Sequence, residues 1–203
     1  MIEQQIDIPM KDGATTTFIV HPERDGPHPL IVFYMDAPAI REELRDMARR
    51  LASVGYYVML PNLYYRSGVM ELGPFLGEAA AATRQRMGEL MGSLTIPMIM
   101  DDTDALIAFA EKQAAAATVK IGCVGYCMSG QYAINAAARY PERVGAAASV
   151  YGVPGHRSRR QSPSRSGHGQ GRTLLRLRRT RQLGSSGHGR DASQVTERNP
   201  CKY

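Results

Sequence analysis

The first 153 residues predict an α/β fold with a doubly wound, mostly parallel sheet, on three observations. Strand-like and helix-like segments alternate along this stretch, the pattern of helices packed on a parallel sheet. LIVFYM at Leu30 to Met35 is a near-continuous apolar run, suited to a central strand buried on both faces. VKIGCVGY leads through a sharp turn at Cys127 into an Ala-rich helix stopped by Pro141.

Taken in order, Ile2 to Ile8 and Thr15 to Val20 read as two strands, joined by a hairpin turn at Lys11-Asp12-Gly13. After the Leu30 strand, Arg41 to Gly55 has Leu44, Met47, Ala48 and Leu51 at helical spacing and a terminal Gly, so it reads as an amphipathic helix with a C-cap. YYVMLP returns as a strand. In residues 62 to 95, Gly68, Gly73, Pro74 and Gly77 break the pattern before an Ala- and Met-rich helix around Glu78 to Met91, as a lid or substrate loop would. A long helix is expected from Ile96 to Ala117, then the VKIGCVGY strand, a helix from Ser129 to Tyr140 and a strand at Gly145 to Gly152.

The chain of 203 residues favours one fold. Its net charge of +6 is unevenly spread. Residues 1 to 153 hold 13 of the 25 basic and 17 of the 19 acidic residues, a net −4, and residues 154 to 203 are +10. Beyond Val153 the sequence is crowded with Arg, Ser and Gly and has no apolar period, so residues 154 to 203 read as a basic, disordered tail. Such a tail could bind phosphates, but its one aromatic residue, Tyr203, leaves nothing to stack on bases, and a nucleic-acid role is disfavoured. The N-terminus shows neither a secretory signal nor a membrane-spanning run, which points to a cytoplasmic protein. The three cysteines fit neither a disulfide framework nor a metal knuckle; no metal or organic cofactor is implied.

VGYCMSG, residues 124 to 130, carries the chemistry. A nucleophile presented on a strand-to-helix turn needs small residues two before and two after it, and Gly125 and Ser129 fill those positions around Cys127. A helix N-terminus favours a thiolate, and the amide of Met128 would supply half of an oxyanion hole. The plain alternative is an inert buried cysteine in another doubly wound protein.

These residues, with the helix ending in Y-P-E-R, the Leu-Ile-Val strand ending at acidic Asp36, and G-Y-Y-V-M-L-P-N-L-Y after the first helix, resemble the dienelactone hydrolase family. The resemblance covers residues 1 to 153 and implies an α/β-hydrolase-like fold, incomplete at its C-terminus. It implies a hydrolase that cleaves a small-molecule lactone or carboxylic ester through a Cys-Asp-His triad, with no membrane partner. Carried across, Cys127 matches the nucleophile, and Met128 and Ala37 the two oxyanion-hole amides. Asp36 matches a family glutamate that helps activate the thiol; the other reading, a helix N-cap, is a poor fit with four residues between it and the helix. Arg84 and Arg86 fall near a substrate-carboxylate arginine of the family but read equally as solvated helix charges.

The family's triad acid and histidine have no counterpart here. His21 and His28 precede the central strand, and the Gly-His-Gly triplets at His168 and His188 lack the flanking Phe of the family's histidine turn and any strand ahead of them. Read one base later with permitted codons, Gly155 to Ser164 becomes VTDRADSPHL and Gly171 to Ala192 becomes AELYFACAEHDSWAPLAMVETL, with the triad Asp spanning the codons of Arg181 and Gln182. The tail is therefore expected to be an out-of-frame, truncated end. The expected function is an impaired cysteine hydrolase; the alternatives are a catalytically inactive hydrolase-fold protein and, less favoured, a basic-tailed nucleic-acid binder.

Overall fold

In β1 (Ile2–Met10) and β2 (Gly13–His21) the first hairpin fixes the register of the sheet edge, pairing antiparallel from Ile2 opposite His21 to Met10 opposite Gly13. The turn needs a residue at φ +137°, which Gly13 supplies. The computed structural model of the chain describes residues 1–152, so the expectations for the tail lie outside the described residues.

β3 (His28–Tyr34) lies at the centre, parallel to β4 (Tyr57–Pro61) on one side and to β5 (Ala116–Tyr126) on the other. β6 (Val144–Val150) runs parallel to β5, and β2 joins β4 antiparallel, giving the order β1-β2-β4-β3-β5-β6. As its apolar run predicts, β3 is covered on both faces, and every residue from Leu30 to Met35 is buried.

The period of two sorts these side chains between two layers. Phe33 is in register with Val124 and lies against Tyr126, while Tyr34 points the other way. α1 (Glu42–Ser53) packs Leu44, Ala48 and Ala52, a stripe of spacing four, on one face, with Arg49 over the ring of Phe18. α3 (Ile96–Ala110) and α4 (Gly130–Arg139) cover the opposite face, where the hydroxyl of Tyr34 meets Thr103 of α3 at 2.9 Å and its ring meets Tyr132 of α4 edge-on. α2 (Ala80–Ser93) follows an irregular stretch that begins with a 3-10 turn at Tyr65–Ser67.

The expected helix from Ile96 to Ala117 is too long. α3 begins where Thr95 accepts the amide of Met98, with Pro in its first turn, but ends at Ala110. Ala116 and Ala117 belong instead to β5, opposite His28 and Pro29. A run of alanines has no face of its own, so pairing with β3 overrides helix propensity. The expected helix at Ser129 likewise starts one residue later, after a 3-10 turn over Cys127–Ser129, and ends at Arg139.

Arg66, part-buried, pairs with the buried Asp102 and ties the 3-10 turn to α3. The guanidinium donates to both carboxylate oxygens at 2.8 Å, and Tyr65 Oη donates to one of them at 2.9 Å. Among the described residues, no helix is long and apolar enough to cross a membrane.

Candidate active site

β4 lies on one side of β3 and β5 on the other, so chain order reverses at the β3–β5 junction. In open parallel sheets, the crevice beyond the carboxyl ends of the strands at such a reversal is where ligands bind. Tyr34 stands opposite Gly125 there, so the two strands release their chains side by side. From β3 come Met35, Asp36 and Ala37; from β5 come Cys127, Met128 and Ser129. Every sequence-predicted site residue lies on one of these two strand ends.

Cys127 has φ +53°, a left-handed conformation that an L-residue adopts at a cost. It is half-buried, between Tyr126 of the strand and the buried Met128 and Ser129. The turn is tight enough that a Cβ at Gly125 would collide with the backbone carbonyl of Ser129, which explains the first small residue of the motif. Ser129 is more than small. Fully buried, it donates its Oγ–H to the carbonyl of Met35 and so fastens the turn to the end of β3. Gly130, which closes the VGYCMSG motif, lets α4 approach β6, since a Cβ there would meet Ser149 Oγ. The amide of Met128 lies in the first turn of the helical segment, where amides have no partner within the helix and are free for an anion.

On the β3 side, Asp36 accepts from Nη1 and Nη2 of Arg41 at 2.6 and 2.8 Å, so both carboxylate oxygens are engaged. Arg41 opens α1 but caps nothing with its side chain, and Asp36 is no N-cap. This pair and Arg41 Nη1 on the carbonyl of Ala39, at 3.2 Å, hold the loop after β3 in a closed turn. Ala39 sits at φ +71° and bridges Glu71, and the Ile40 amide donates to Met70 at 3.2 Å. Tyr64, 1 % exposed, donates its hydroxyl proton to the carbonyl of Ala37 at 3.0 Å, with Met128 Sδ 3.4 Å away. Burial, and then Tyr132, Asp36 and Cys127, hold this phenol well above its ordinary range.

Arg41 and Tyr64 do not stand out in the sequence: Arg41 reads there only as a helix residue, and Tyr64 lies within G-Y-Y-V-M-L-P-N-L-Y without a role. Arg84 donates to the Phe75 carbonyl at 3.3 Å and Arg86 pairs with Glu89 at 3.1 Å; both bonds are local to α2 and the segment before it. His21 and His28 lie at the opposite end of the sheet, near Tyr57, and the rise of β3 puts His28 about 20 Å from the β3 end that carries Asp36. His168 and His188 lie outside the described residues. Cys123, one strand turn before the site, is 3 % exposed, and burial pushes its thiol up to about 12. Among the described residues, no three His, Cys, Asp or Glu side chains are grouped to hold a metal.

The dienelactone hydrolase family model matches residues 15–168, which span the hairpin, the central strand and the turn at Cys127. A Methylorubrum extorquens protein assigned as a carboxymethylenebutenolidase is 30% identical over 141 residues, 70% of this chain and 46% of that protein. The carboxymethylenebutenolidase of Pseudomonas putida is 29% identical over 154 residues, 75% of this chain and 62% of that one. The chain thus spans about half the length of the curated relatives it matches. A Klebsiella pneumoniae structure assigned as a dienelactone hydrolase superposes with a TM-score of 0.65 at 23% identity, covering 78% of this chain and 63% of that one, so the α/β-hydrolase fold is shared. A family match over three quarters of the sequence, joined to that fold, places the chain in the dienelactone hydrolase family.

Proposed function

We propose that this chain is a hydrolase of small-molecule lactones or carboxylic esters, with Cys127 as the nucleophile, carried by the region 1–153. The observation that supports it most is the left-handed Cys127 on a strand-to-helix turn at the β3–β5 reversal. Strain held at one solvent-reachable cysteine, in the crevice where this fold binds ligands, has no packing purpose.

In the proposed reaction the Cys127 thiolate attacks the carbonyl carbon, and the carbonyl electron pair moves onto oxygen. The amides of Met128 and Ala37 hold that oxyanion. As the pair returns, the C–O bond breaks and the alcohol or enol leaves as its anion, giving a thioester on Cys127. In a lactone the leaving oxygen stays tethered to the acyl group. Asp36, held by Arg41, fixes the loop that presents the Ala37 amide. Water must then attack the thioester, a step that needs a base. Among the described residues neither histidine, His21 nor His28, reaches Cys127, which supports deacylation as the impaired step.

The test is p-nitrophenyl acetate with the full chain. Release of about one nitrophenolate per chain, an acetyl adduct on the Cys127 peptide and negligible turnover are expected. Cys127→Ala should abolish the adduct, and Cys123→Ala should keep it. An adduct that survives Cys127→Ala overturns the nucleophile, and enzyme-like turnover overturns the impairment. No adduct at all would favour a catalytically inactive hydrolase-fold protein.

A further inference from the structure

Building on the proposed role of Cys127, we propose that Tyr64 is a positioning residue that holds the two oxyanion-hole amides in register with each other. Three successive carbonyls leave the end of β3, and each is tied to a different donor. Ser129 Oγ holds that of Met35, the Ala39 amide holds that of Asp36 at 3.3 Å, and Tyr64 Oη holds that of Ala37 at 3.0 Å. In a trans peptide the N–H points opposite to the carbonyl. The Asp36 carbonyl therefore aims the Ala37 N–H outward, and the Tyr64 bond stops the following peptide from swinging it away.

Of the three donors, Ser129 adjoins Met128 in the chain, and the tyrosine is the one that reaches the Met128 side chain. Its hydroxyl has one proton, given to Ala37, and Met128 Sδ rests 3.4 Å from the same oxygen. Ala37 and Met128 are far apart in sequence and belong to different strand ends; the Ser129–Met35 bond fastens those ends together, and the Tyr64 hydroxyl, bonded to the Ala37 carbonyl and resting on the Met128 thioether, is a second tie between them. The ring itself is fixed from behind. The Tyr64 amide donates to Asn62 Oδ1 at 3.0 Å, Asn62 Nδ2 donates to the Val69 carbonyl at 2.9 Å, and Thr15 Oγ1 donates to the Asn62 carbonyl at 2.7 Å. Oxyanion stabilisation depends on donors placed before the reaction begins, so loosening one should slow acylation and nothing else.

The experiment compares two reactions of the same thiol in the full chain. Acylation by p-nitrophenyl acetate builds an oxyanion; alkylation by iodoacetamide displaces iodide and builds none. Tyr64→Phe should slow acylation of Cys127 about tenfold and leave its alkylation within about twofold, with the cooperative melt retained. An equal fall in both rates means general damage to the turn and overturns the positioning role, as does an unchanged acylation rate. If Tyr64→Phe does not fold, Ala37→Gly, which frees the backbone that the hydroxyl restrains, is read in the same ratio. A selective fall in acylation there supports the role, and an unchanged ratio overturns it. The two readings fail differently: a wild-type chain that is alkylated but never acylated at Cys127 removes the proposed function and this role together, whereas normal acylation in both variants removes this role alone.

Discussion

Replacing Cys127 by glycine and by alanine measures the strain in the turn. Both substitutions delete the thiol, so their difference isolates the Cβ at φ +53°. Left-handed backbone costs an L-residue roughly 1–2 kcal/mol, and glycine escapes it. Against this, glycine loses more freedom on folding, about 0.5–1 kcal/mol relative to alanine. The half-buried methyl of alanine adds about 0.3 kcal/mol in its favour. Cys127→Gly should therefore be the more stable variant by about 0.5 kcal/mol. The control is Ala138→Gly on the exposed side of α4, where glycine should cost about 1 kcal/mol, in the opposite direction. Urea midpoints at constant slope give both values. If Cys127→Gly is less stable than Cys127→Ala by the amount seen at Ala138, the residue carries no left-handed strain and the argument from strain to function fails.

Alkaline solution and the Arg66–Asp102 ion pair offer two further checks. Burial raises the Cys123 thiol from its ordinary 9.0 to about 12, the Tyr132 phenol from 10.0 to about 12, and Tyr34 well above its ordinary value. The folded chain keeps protons that the unfolded chain sheds, so stability is full below about pH 9 and falls as pH rises from there, by about 1.4 kcal/mol per unit per group. Urea midpoints that match at pH 8 and pH 10.5 would contradict this. Asp102→Ala removes two of the three carboxylate bonds of the part-buried Arg66, leaving it Asp12 at 2.9 Å, and should cost about 2 kcal/mol; a loss within the error of the midpoint would show that Asp12 and solvent already satisfy the arginine.

The central strand and the turn at Cys127 were legible because local chemistry dictates them. An unbroken Leu-Ile-Val run has nowhere to go but a covered strand, and glycine before Cys127 answers a collision within a few residues of chain. The end of α3 was not legible, because the fate of Ala116 and Ala117 depends on His28 and Pro29, more than eighty residues away. The same holds for Tyr64, whose partners Ala37 and Met128 meet it only after β3, β4 and β5 align, and a tyrosine after a strand carries no local mark of that meeting. Arg41 lies close to Asp36 in the chain, but an arginine near a helix start is the common solvated case and nothing in its neighbours says that it turns back to that carboxylate.

The bond from Ser129 to Met35 spans 94 residues of chain. Closing a loop of that length costs about 4 kcal/mol beyond its constant part, so this bond must wait for strand docking to offset the loss. A nascent chain finishes β3 long before residue 129 has been added, and until then the Met35 carbonyl has no serine to accept from. The crevice at Cys127 is thus a product of late, non-local assembly. Until β5 docks on β3, nothing in the native contacts holds Cys127 in its left-handed conformation, so the proposed chemistry depends on that docking. In a refolding experiment, the ratio of acylation to alkylation at Cys127 would serve as a clock for the docking of β5 on β3.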